Sequence, residues 1–147
     1  MNFKKIGLFI LYLLPWFISV LIFPTDKTYY TNLIKPIFAP PPIIFAIIWP
    51  ILYLLITISI YKTLNSSSTK YKISLIINYI SNQLFSFFFF TLKSPALALI
   101  DTIIVLISSV FIYKETKNTN NTSKYLIPYI LWNTFATILI SSIYIMN

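Results

Sequence analysis

The sequence predicts an all-α integral membrane protein, a bundle of five transmembrane helices with a long, proline-rich first loop. Three observations carry this reading. Of 147 residues, 58% are hydrophobic and only 10% charged, with mean hydropathy +0.82. A soluble domain carries about 25% charged residues, and too few remain here to cover a water-exposed surface. Five apolar runs, each of 18 to 22 residues, divide the chain at about 6–23, 43–61, 73–91, 96–113 and 125–146. Eighteen helical residues cover about 27 Å, near the thickness of a bilayer's hydrocarbon core. Ile and Phe abound, yet the runs lack the two-residue alternation of membrane strands. The length suits one domain, 1–147.

The first run follows Lys4 and Lys5, as a signal peptide would. No small-x-small cleavage site precedes "FPTDK", so the run reads as a retained first helix. Pro15 is expected to kink it. The loop at 24–42 comes next, within "FPTDKTYYTNLIKPIFAPPP". Loops of this length tend to be lids or binding segments. Pro36 and Pro40 to Pro42 restrict its backbone, which suits either a stiff lid or a spacer that only launches the second helix. The linkers at 62–72 ("KTLNSSSTKYK") and 114–124 ("KETKNTNNTSK") are plainly polar. Between the third and fourth runs stands only "LKSP", which makes those helices antiparallel neighbours.

Charge orients the bundle. All eleven basic residues are lysines, against Asp26, Asp101 and Glu115, for a net charge of +8. Eight lysines fall at the N-terminus and in the linkers 62–72 and 114–124; three fall in the loop 24–42 and the "LKSP" turn. They flank apolar runs and form no single polar face, so the reading is a multi-pass cell-membrane protein without a nucleic-acid partner. By the positive-inside rule the N-terminus is cytoplasmic and the C-terminus outside.

The chain has no cysteine and no histidine. Disulfide and thiol chemistry are excluded, and the usual zinc ligands are missing; no metal site and no cofactor are expected. Gly7 is the only glycine, so no phosphate-cradling loop exists. What stands out is aromatic. Phe45, Trp49 and Tyr53 share one face of the second helix, Asn82, Phe85, Ser86 and Phe89 one face of the third, and Tyr129, Trp132, Ala136 and Ile140 one face of the fifth. Together the three faces suit a planar apolar ligand. Taken singly, each stripe also suits ordinary helix packing or an interfacial aromatic belt. Asn82 could bind a neighbouring helix or a ligand. Asp101, about one and a half turns into the fourth helix, should face the bundle interior or a wet end.

"YYTNLIKPIFAPPPIIFAIIWPILY" resembles the translocator protein family (TspO, the tryptophan-rich sensory proteins, formerly peripheral benzodiazepine receptors). Tyr30, Leu33, Lys35, Pro36, Pro40, Pro41, Phe45, Trp49, Leu52 and Tyr53 match its pattern without a gap. "NQLFSFFFFTLKSPALALID" resembles the family's third helix and following turn through Asn82, Phe89, Phe90, Ala98 and Asp101. "LIPYILWNTFATIL" resembles its fifth helix through Pro128, Tyr129, Trp132, Ala136 and Thr137, and Asn147 fits as well.

The resemblance implies a five-helix bundle whose long, proline-rich first loop caps an internal pocket, and a homodimeric membrane receptor for porphyrins, such as protoporphyrin or haem-like tetrapyrroles, and related planar hydrophobic molecules. Its expected site is Tyr30, Pro40, Pro41, Phe45, Trp49, Tyr53, Asn82, Phe85, Phe89, Tyr129, Trp132 and Ala136. The alternatives are light-dependent porphyrin degradation, in which Trp49 and Trp132 would be the reactive indoles, and a small carrier of lipid or sterol type. Without histidine or cysteine, a tetrapyrrole would be held by shape and stacking, or at most by a tyrosine oxygen. This chain departs from the family where tryptophans become Phe38, Ile43 and Phe85, and where a helix-five asparagine or serine becomes Ile140. No basic residue follows Tyr144, so the weak sterol-recognition pattern is missing. A GxxxG contact is impossible with one glycine.

Overall fold

The computed structural model describes residues 3–119 and 122–147. Among these, every regular element is helical. Five helices are long and apolar enough to cross a bilayer: α1 (Phe3–Ile22), α3 (Pro42–Ser66), α4 (Thr69–Thr91), α5 (Pro95–Asn118) and α6 (Ser123–Met146). The short α2 (Lys27–Asn32) lies in the first loop. Around the bundle α1 packs on α3, α3 on α6, α6 on α5, α5 on α4, and α4 returns to α1.

The spans match the five apolar runs but reach further into the polar linkers. Lys62 lies in the last turn of the helix that began at Pro42. Lys114 to Asn118 continue the fourth span, where a plain linker was expected. Asn120 and Asn121 of that linker lie outside the described residues. Helix propagation adds one hydrogen bond per residue once a long span exists, so polar residues prolong it cheaply. Pro42 and Pro95 open α3 and α5, positions where a missing N–H costs nothing.

Pro15 does break α1. Leu14–Phe17 is a 3-10 turn, because proline supplies no N–H to the helical ladder. Side chains of α4 take up the interrupted backbone. The Tyr79 hydroxyl donates to the Pro15 carbonyl at 2.9 Å. Gln83 accepts from the Ser19 N–H at 2.8 Å and donates to the Trp16 carbonyl at 3.4 Å. The turn carries Trp16 inward, where it is 2% exposed.

Below the loop, a polar network joins α3, α4, α5 and α6. The Tyr53 hydroxyl donates to Asn82 Oδ1 at 3.0 Å. Asn82 Nδ2 donates to the Tyr129 hydroxyl at 3.2 Å, which donates to Asn78 Oδ1 at 2.9 Å. Asn78 Nδ2 has two protons to share among the Val105 carbonyl, Ser108 and Ser109, all within 3.0 Å. Asn133 reaches Ser109 from α6 at 3.4 Å. In hydrocarbon these groups have no water to fall back on, so each must find a protein partner.

Three connections meet at the end opposite the lysine-rich linkers. Asp26 caps α2 by accepting from the Tyr29 N–H at 2.8 Å, and pairs with Lys93 of the "LKSP" turn at 3.2 Å. Lys35 Nζ donates to the carbonyls of Tyr30, Thr31 and Leu33, placing a cation on the exposed C-terminal carbonyls of α2. Asn147 Oδ1 accepts from the Ile34 N–H at 3.0 Å, and its Nδ2 donates to the Ile34 carbonyl at 2.9 Å.

The Tyr29 N–H first, and Lys93 second, hold the Asp26 carboxyl below its usual value of 3.8. The ion is favoured in the folded loop, so its contribution is complete above the unfolded value near 3.9 and disappears as pH falls through the lower folded value. Intrinsic-rate-corrected hydrogen exchange in α2 is therefore expected to stay level from pH 8 to 5 and to accelerate only below about pH 4. Asp26→Asn should remove that step, and an unchanged profile would refute the assignment.

Candidate functional site

The loop and the helices beneath it meet through aromatic rings. Tyr30, on α2, is buried; its hydroxyl donates to the Pro40 carbonyl at 2.9 Å, and its ring meets Phe45 edge-on at 5.6 Å. The proline-stiffened stretch thus closes onto its own preceding helix. Pro41 stands extended as the residue before α3 and fixes where that helix starts.

Four-residue spacing along α3 brings Phe45, Trp49 and Tyr53 to one face. Phe45 meets Trp132 at 5.8 Å, Trp49 meets Trp132 at 6.5 Å and nearly perpendicular, and Trp49 lies against Tyr53 at 5.5 Å. Trp132 also contacts Phe135 at 5.2 Å, and Phe135 meets Phe38 of the loop. Edge-to-face and tilted pairs at these separations are the favoured geometries of aromatic rings. Trp49 is seven residues past Pro42, about 10 Å along the helix. Its contacts with two neighbouring rings place the indole within the bundle; it does not project as a free interfacial belt residue.

The remaining expected residues fall in two groups. Tyr53, Asn82 and Tyr129 are buried members of the polar network, so their polar atoms already have helix partners. Phe85 and Phe89 stack on each other at 5.5 Å, and Phe89 meets Tyr29 of the loop; this second cluster also packs around Tyr30, Ala98, Leu139, Ile140 and Ile143. Ala136 stands apart from both groups, half-buried one turn beyond Trp132. Asp101 is 3% exposed with no hydrogen-bond partner for Oδ2; it faces the bundle interior, as its cost in lipid demands. Trp132 Nε1 is likewise buried without a partner.

Sequence reasoning missed Trp16, which stacks on Tyr53 at 5.5 Å with 24° between planes. It also missed Asn78, Gln83 and Phe135. The signal for Asn78 was available, because it lies four residues before Asn82 on the same face. Trp16 gave none, since a proline kink says where a helix bends but not what the bend delivers.

Among the described residues, recesses open at the surface in at least two places. One, about 370 Å³, lies at the end that carries the first loop, among Tyr29, Leu33, Lys93, Ser94, Tyr144 and Asn147. The other, about 420 Å³, lies between α3 and α6, with Ile48, Ile51, Leu131, Trp132 and Phe135 among its walls. The second is a shallow groove open to its surroundings and lacks the enclosure that a small-molecule site gives its guest. Trp132 belongs both to this recess and to the ring cluster, so a guest could be housed on its outer side or by parting the rings.

Comparison with known proteins agrees with the architecture. Residues 7–146 match the model of the TspO/MBR family. The chain is 37% identical to Tryptophan-rich protein TspO of Bacillus cereus, over 90% of this chain and 89% of that one. It is 37% identical to the uncharacterized membrane protein YtaB of Bacillus subtilis, over 86% and 84% of the two chains. With Tryptophan-rich protein TspO of Archaeoglobus fulgidus it shares 33% identity, over 82% of this chain and 81% of the relative. A match of this extent, over five spans joined in this order, makes the chain a multi-pass membrane protein belonging to the TspO/MBR family.

Proposed function

We propose that this protein binds porphyrins and related planar hydrophobic molecules from the membrane, using the ring cluster beneath the first loop. One observation carries the reading: Tyr30, Phe45, Trp49, Tyr53 and Trp132, from the loop and two spans, form one continuous series of ring contacts. A flat apolar guest gains most where several rings can turn their faces to it. The names of the TspO relatives support the family but specify no ligand. The excess of lysines at the end opposite the loop supports a cytoplasmic N-terminus, and a homodimer belongs to the same proposal.

The test is a protoporphyrin titration of the purified protein in nanodiscs, followed by tryptophan emission. Trp49 and Trp132 are two of only three tryptophans, so saturable quenching is expected, and Trp132→Phe should weaken it. Emission that falls only in proportion to added pigment, as with an unrelated membrane protein, would end the proposal. The contact between Trp49 and Trp132 also supports a second reading, light-dependent porphyrin breakdown, because an excited porphyrin held there would face two oxidisable indoles. Illuminating the complex decides it: a defined product formed faster than from free porphyrin in empty nanodiscs is expected, and equal bleaching without a defined product removes it.

A further inference from the structure

We propose that Trp16, on the first span, is a positioning residue that sets the orientation of Trp49 through Tyr53. The inference deepens the proposed function and rests on it as far as ligand affinity is concerned. Tyr53 lies between two indoles: Trp16 stacks on it at 5.5 Å and 24°, and Trp49 lies against it at 5.5 Å and 33°. Its ring cannot slide away, because the hydroxyl is tied to Asn82 and through it to Tyr129 and Asn78. Phe17 meets the same ring edge-on at 5.4 Å. The stack is therefore held at its polar end by α4 and at its sides by α1.

Trp16 is itself fixed. Tyr79 meets its ring edge-on at 5.2 Å, and the same Tyr79 holds the Pro15 carbonyl through its hydroxyl. Gln83 holds the backbone on either side, at the Trp16 carbonyl and the Ser19 N–H. The proline break in α1 thus has a use. It turns Trp16 into the bundle, and the freed backbone groups become the points by which α4 locks it there. An aromatic pair gains from a defined geometry, so a fixed Trp16 and a fixed Tyr53 leave Trp49 one favoured tilt. That tilt decides which part of the indole a planar guest meets.

Two proteins with Trp49 as the sole indole test this without any ligand: Trp16→Phe with Trp132→Phe keeps a ring at position 16, and Trp16→Leu with Trp132→Phe removes it. Time-resolved anisotropy should show a freer Trp49 in the leucine protein than in the phenylalanine one; identical decays would overturn the proposal. In the otherwise native chain, Trp16→Leu should weaken protoporphyrin about tenfold, and Trp16→Phe should recover most of that loss. Tyr71→Leu empties an equally buried site at the lysine-rich end; it should lower the melting temperature while leaving affinity unchanged. If Tyr71→Leu weakens binding as much as Trp16→Leu does, Trp16 is only part of the core. Tyr79→Phe, which loses the hydroxyl to Pro15 but keeps the ring, gives a milder loosening of Trp49 should the leucine protein not fold. Absence of porphyrin binding by the native protein would remove the proposed function, while the anisotropy pair would still decide the positioning.

Discussion

Asn78→Leu is expected to destabilise the bundle by about 2–3 kcal/mol, the largest loss from a single polar side chain. Asn78 is fully buried and serves three helices, accepting from Tyr129 and donating to α5. One interhelical hydrogen bond in a membrane contributes only about 0.6 kcal/mol on average. The two bonds that Asn78 can donate contribute about 1.2 kcal/mol, and the Tyr129 hydroxyl left without an acceptor in hydrocarbon adds at least about 1 kcal/mol, which brings the sum to the stated range. Leucine fills the volume, so the change tests hydrogen bonding and not a cavity. The comparison is Ile77→Leu, one residue away on an exposed face, which should alter nothing. Both are read from thermal unfolding in detergent. Equal melting temperatures for Asn78→Leu and the native protein would mean that the network is decorative.

Trp132→Ala is expected to weaken protoporphyrin about sixtyfold. One face of an indole offers roughly 100 Å² to a stacked guest, worth about 2.5 kcal/mol at 25 cal/mol per Å². Trp132 also meets Phe45, Trp49 and Phe135, so its removal leaves three rings without their common neighbour. Leu131→Ala is the control. Leu131 lines the same recess but is 65% exposed. A loss common to both would locate binding in the recess; a loss confined to Trp132 supports the ring cluster. Native affinity in Trp132→Ala would defeat the proposed site.

The bundle was legible because five runs both long and apolar, in a chain with so few charges, suit a bilayer and leave a small soluble domain no surface. The aromatic faces of α3 and α6 were legible for a similar reason. Four-residue spacing puts Phe45, Trp49 and Tyr53 together whatever else the chain does. The loop helix was harder to see. "KTYYTN" carries no periodic apolar face, and its one marker is Asp26, a good N-cap three residues before the N–H it accepts from. Lys35 binds carbonyls that converge on one point only once that helix has formed. The end of α4 at 91 was legible, but the winding of its last turn was hidden. Phe87–Thr91 winds as a π-helix, which leads into Lys93 at φ 50, and four consecutive phenylalanines give no periodicity to read. Side chains that serve a broken backbone, such as Gln83, become visible only when the break and its neighbour are seen together.

The clasp between Asn147 and Ile34 carries a practical lesson for anyone engineering the chain. An affinity tag fused after Asn147 would begin one peptide bond from the group that holds Ile34 of the first loop, and its drag would be felt in that loop. The amino end, where Lys4 and Lys5 stand exposed on the far side, is the safer handle for purification and labelling.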